Sequence, residues 1–159
     1  MARVLIVSRS AAGVADATKQ FLSILSGDHR IVVLLVERPY PVAPLVGEEE
    51  ELLTGGLELS GATELDNVLA SAAAAEADAR SELDDALRPL HLDSKVQVRV
   101  ESGDPGETFC RVAAEIRADL MVLGRRSRSL RSRLTLGSIT RYVLEHSHCP
   151  VLMVHENND

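Results

Sequence analysis

Short apolar runs recur along this chain with stretches of helical periodicity between them, and that alternation limits the folds open to it more than any other feature. The runs occupy residues 4–7, 31–36, 96–100, 120–123 and 151–154. Most are continuous, as strands buried on both faces are; 96–100 alternates through Gln97 and Arg99, as a strand wetted on one side does. Strands separated by helices need crossovers, and right-handed crossovers build a mostly parallel sheet covered on both faces. The fold class expected is therefore α/β with five strands. At 159 residues the chain makes one domain, 1–159, with a proper core. Hydrophobic residues reach 45% while aromatics are only 3%, so Val, Leu, Ile and Ala must build that core.

Four helical patterns fill the gaps. In the first, Val14, Thr18, Phe21, Leu22 and Leu25 share one face, with Ser10 as N-cap and Gly27 as terminator. The second, roughly residues 64–90, is Ala-rich, with Leu65, Leu69, Ala72, Ala79, Leu83 and Leu87 as its buried stripe. The third opens on Asp104-Pro105-Gly106-Glu107, which has the form of a capping box with Pro at the first helical position. Phe109, Val112, Ala113 and Ile116 then face inward. The fourth starts near Ser138 and buries Ile139, Val143 and His146. Residues 39–61, with several Pro and Gly and the acidic run Glu48 to Glu51, form the one long irregular connection, read as a solvated surface loop or a flap.

The charge is unevenly spread. Net charge is −7, which argues against general binding to nucleic acid. Yet the stretch from Arg125 to Arg141 carries six arginines and no acid, and leads through Gly137-Ser138 into the fourth helix. A helix's first turn has unpaired N–H groups and partial positive charge, so this loop suits an anionic ligand such as a nucleotide's phosphates. In open α/β sheets ligands gather at the carboxyl ends of strands where the connection order reverses. Two loops fit that place, residues 8–13 and 124–138.

Other chemistry has less support. Cys110 and Cys149 lie far apart and suggest no disulfide framework, which fits a reducing cytoplasm. The first residues read as a strand and have too few apolar residues for a signal peptide; no run approaches the ~20 residues that span a bilayer. His146, His148 and Cys149 have poor spacing for a zinc site. Asp104 and Glu107 read as helix capping rather than a catalytic carboxylate pair. No nucleophile elbow, Walker lysine or zincin motif is present. The phosphate loop of the ATP pyrophosphatases, Ser-Gly-Gly-x-Asp-Ser, is replaced after the first strand by Ser8-Arg-Ser-Ala-Ala-Gly. No catalysis and no metal are expected.

The arginine-rich loop carries a spacing that resembles the universal stress protein family: Gly124, two residues, Ser127 where the family has Gly, nine residues, then Gly137-Ser138. The likeness extends to Arg3-Val-Leu-Ile-Val, Glu101-Ser-Gly-Asp-Pro-Gly-Glu, Ala118-Asp-Leu-Met-Val-Leu-Gly and His148-Cys-Pro-Val-Leu-Met-Val. What the resemblance implies is a Rossmann-like sheet of order 3-2-1-4-5, a cytoplasmic homodimer paired through the last strand, Pro150 to Val154, and a stress-response role. In one branch it implies bound ATP, with Mg as a candidate companion. Carried over by position, Gly124, Arg126, Ser127, Gly137, Ser138, Ile139 and Thr140 would hold phosphates and ribose. Val36 and Leu123 would contact the nucleoside, beside Ser8 and Arg9. The family's ATP binders usually have Asp where this chain has Arg9. The competing expectation is a dimeric interaction module of the same fold that binds no nucleotide.

Overall fold

The computed structural model describes residues 1–25, 27–38, 61–92, 96–126 and 136–156, with the backbone alone described at 61–65, 125, 126 and 156. Most of the irregular connection, 39–60, and Ser127 lie outside the described residues. Along the chain run β1 (Ala2–Ser8), α1 (Ala11–Ile24), β2 (His29–Glu37), α2 (Gly61–Leu87) with a 3₁₀ turn at Arg88–Leu90, and β3 (Val96–Ser102). There follow α3 (Pro105–Glu115), β4 (Leu120–Arg126), α4 (Ser138–His146) and β5 (Val151–Glu156). The strands form one parallel sheet in the order β3-β2-β1-β4-β5, as expected. β1 lies at its centre: Val7 stands opposite Leu34 of β2 and Leu123 of β4.

Strand alternation divides the core into two layers. Val4, Ile6, Ile31, Val33, Leu35, Val122 and Val154 pack under α1 and α2. Leu5, Val7, Val32, Leu34, Val36, Met121 and Leu123 pack under α3 and α4. The chain's two phenylalanines anchor one layer each, Phe21 in the first and Phe109 in the second, both fully buried. Truncating either to alanine would cost about 3–5 kcal/mol. β3, an edge strand, is only half covered; Val96, Val98 and Val100 lean on the first layer while Gln97 is exposed.

Helix starts follow their capping residues. Ser10 Oγ accepts the Gly13 N–H at 3.1 Å, and Asp104 Oδ1 accepts the Glu107 N–H at 3.1 Å. α1 ends where the Leu25 N–H returns to the Phe21 carbonyl at 3.0 Å, and Gly27 then takes φ 144°. Its buried stripe is Ala11, Val14, Ala17, Thr18 and Phe21. Leu22 and Leu25, expected inside, are exposed because one sits on the stripe's flank and the other lies past the helix end.

The stripe of α2 is corrected more substantially. Ala79, Leu83 and Leu87 are buried, but Leu69 and Ala72 are exposed. A 27-residue helix runs about 40 Å, longer than the strands beneath it, so only its second half covers the sheet. Leu65 is outside the side chains described. In α4, Thr140 and Val143 are buried and Ile139 half-buried. His146, expected inside, is exposed, its ring stacked on Tyr142 at 4.0 Å and its Nδ1 2.8 Å from the Tyr142 carbonyl oxygen.

Candidate functional site

The connection order reverses between β1 and β4, the place in an open α/β sheet where ligands gather at the strands' carboxyl ends. Val36 at the end of β2 and Leu123 near the end of β4 belong to the same layer, with β1 between them. Two strand spacings and a two-residue offset along the strands set them roughly 12 Å apart. Arg9 follows the central strand. Together with Val36, Glu37, Arg38 and Pro105 it lines a cavity of about 290 Å³.

Arg9 and Arg38 are exposed, and neither pairs with a carboxylate among the described residues. Pro105 brings in the first turn of α3, whose Asp104 is already engaged in capping. Glu37 alternates to the opposite layer from Val36. Its carboxyl is held above the ordinary value of 4.5 by burial first, and then by Glu82, Asp78 and Glu76 of α2. Ser8, expected at the site, is buried and alternates with Val4 and Ile6 toward α1 and α2, away from Val36 and Leu123.

At the end of β4 and the start of α4 the described groups are mostly backbone. Gly124 is half-buried and paired with Val154; the strand continues through Arg126, opposite Glu156. The side chains of Arg125 and Arg126, and all of Ser127, fall outside the description. The chain is described again from Leu136, and Gly137 caps α4 with φ −64° and ψ 160° and no side-chain hydrogen bond. The Arg141 N–H is the first to reach an intrahelical acceptor, the Gly137 carbonyl at 3.0 Å. The N–H groups of Ser138, Ile139 and Thr140 are thus those a helix leaves unpaired in its first turn. Ser138 is exposed, whereas Ile139 and Thr140 turn their side chains inward, so these two can offer a ligand only backbone.

Two glycines near this end differ in kind. At Gly106 an added Cβ would stand 2.9 Å from Tyr142 Cδ1, so the fold itself needs glycine there. At Gly137 an added Cβ would meet nothing within 4 Å, and its φ is open to any residue. Neither strain nor packing among the described residues asks for glycine at 137. Arg38 and Pro105, which line the cavity, are not singled out by the sequence; the signal for Arg38 is its place directly after β2, two residues beyond Val36. Among the described residues, no three His, Cys, Asp or Glu side chains gather where a metal ion could be held. No helix among them is long and apolar enough to cross a membrane.

Comparison with known proteins places this geometry in a family. A curated relative, universal stress protein Slr1101 of Synechocystis, is 38% identical over 65 residues, covering 41% of this chain and 60% of that protein. The chain spans between 34% and 60% of the length of the curated relatives it matches. Among solved structures, a universal stress protein family protein of Arabidopsis thaliana with AMP bound superposes with TM-score 0.58 at 17% identity, covering 100% of this chain and 94% of that one. A universal stress protein in complex with cAMP superposes with TM-score 0.54 at 17% identity, covering 98% of each chain. At these identities the superpositions establish the fold. The model of the universal stress protein family matches residues 26–155, most of the chain, and the chain therefore belongs to that family.

Proposed function

We propose that this protein binds an adenine nucleotide, ATP foremost, in the crevice between β2 and α4, as a regulatory ligand that is not turned over. The observation that carries this reading is Gly137. It opens a nine-residue helix, has no capping side chain, and an added Cβ there would meet none of the described residues within 4 Å. A glycine that the described residues do not call for is what close approach of a phosphate to a helix N-terminus requires. In this reading the Ser138 hydroxyl and the Arg126 guanidinium assist the phosphates, and Val36 and Leu123 flank the nucleoside. Mg accompanies a triphosphate. AMP- and cAMP-bound neighbours of the same fold support an adenine nucleotide.

The working form in this proposal is a cytoplasmic homodimer that acts in stress response. β5 is an edge strand, and pairing it with its copy removes an otherwise open row of backbone donors and acceptors. Light scattering at micromolar concentration tests this: a dimer supports the pairing, and a monomer removes it.

A second reading, a dimeric interaction module without nucleotide, is favoured by one observation. Arg9 donates hydrogen bonds only, at a position where the family's ATP binders usually place an acceptor. Mass spectrometry of small molecules released from the purified protein separates the two. Co-purified adenine nucleotide supports the first reading; its absence, with no heat on titration with ATP and magnesium, supports the second.

A further inference from the structure

The crevice holds a feature that a 5′-phosphate at α4 does not use. In a chain of net charge −7, two exposed arginines, Arg9 and Arg38, line the cavity, and neither forms an ion pair with a carboxylate among the described residues. Their placement follows from register. Ser8, the last residue of β1, stands opposite Leu35, so Arg9 directly after β1 and Arg38 directly after β2 leave neighbouring strands at the same end of the sheet. Both side chains are exposed and line the cavity with Pro105. Glu37 lines the same cavity between Val36 and Arg38, but its carboxyl is set against Glu82, Asp78 and Glu76 of α2.

We propose that Arg9 and Arg38 form a second anion subsite, so that this protein selects a nucleotide carrying a phosphate on its ribose as well as on its 5′ carbon. The proposal rests on the nucleotide reading above. A guanidinium has five donors and no acceptor, so it cannot take the proton of a ribose hydroxyl or a base amino group. What it recognises is an acceptor group, best an anionic one whose oxygens match its fork. The span suits such a ligand. With the 5′-phosphate against the first turn of α4, the ribose lies over the end of β1 beside Arg9. A ribose phosphate then faces Arg9 and Arg38 across the two strand spacings that separate β4 from β2.

The test compares two probes of equal phosphate content, ADP and adenosine 3′,5′-bisphosphate, by calorimetric titration of the full chain. The bisphosphate is expected to bind about tenfold more tightly than ADP, the scale of one charge-assisted pair. In the double variant Arg9→Gln, Arg38→Gln the ratio of the two affinities should fall to about one. Both positions are exposed, and thermal melting checks that the variant is folded. Equal affinities in the natural protein, or a preference that survives in the folded double variant, would overturn the subsite while leaving the nucleotide reading intact. Failure of both probes and of ATP to bind would remove the nucleotide reading and the subsite with it.

Discussion

Gly106 of α3 lies directly against Tyr142 of α4, where an added Cβ would stand 2.9 Å from the ring's Cδ1 and 3.3 Å from its Cβ. The missing side chain lets the two helices close on each other, and this contact fixes where the first turn of α4 sits relative to the crevice. Tyr142 cannot yield cheaply, because the near atoms belong to the root of its side chain rather than its tip. Gly106→Val should therefore destabilise the protein by roughly 1–3 kcal/mol, as overpacked sites do. Chemical denaturation measures the loss; an unchanged midpoint would show that α4 can shift freely.

Arg3 and Asp119 lock the start of β4 to β1 by exchanging hydrogen bonds. The Arg3 N–H donates to Asp119 Oδ2 at 2.8 Å, and the Asp119 N–H donates to the Arg3 carbonyl at 2.8 Å. The Arg3 backbone bond is the main cause that holds the Asp119 carboxyl below its ordinary value of 3.8. A carboxyl with a lowered folded value stabilises the protein above the unfolded value, and that contribution is lost as pH falls through the folded one. Asp119→Ala should lower Tm at pH 7, and the gap should close in strong acid. A gap of constant size across pH would show that the charge has no part in it.

Glu37 works in the opposite direction. Burial, then Glu82, Asp78 and Glu76, hold its carboxyl above 4.5, so the folded protein keeps that proton more tightly than the unfolded chain. Stability then falls as pH rises from 4.5 through the raised value. Glu37→Gln should raise Tm at pH 7, on the order of 1 °C because the group keeps partial contact with solvent. Below pH 4 the gain should vanish. An equal gain at both pH values would point to packing instead of charge.

Strand positions were legible because continuous apolar runs of four to six residues have few other uses in a chain that alternates with helical periodicity. Caps were legible for the same local reason: Ser10 and Asp104 need only the three residues that follow them. Periodicity failed where the answer depended on length and termini. Leu69 and Ala72 carry the same spacing as Leu83, yet nothing in the pattern shows that α2 outruns the sheet. His146 satisfied the helical stripe but stacks outside on Tyr142. Val36 and Leu123 share one layer of the core, while Ser8 alternates to the other. Arg38 joins Arg9 only through the register of β1 with β2, a relation between distant segments that local patterns do not contain.

The central claim is that backbone at Gly137 faces a nucleotide phosphate. The direct measurement is calorimetric titration of ATP with magnesium into the natural protein and into Gly137→Phe. Because an added Cβ meets none of the described residues within 4 Å and φ −64° suits any residue, the variant should fold, which thermal melting checks. The prediction is binding in about the micromolar range for the parent and a loss of about a hundredfold in the variant. A folded Gly137→Phe protein that binds ATP as tightly as the parent would contradict the account.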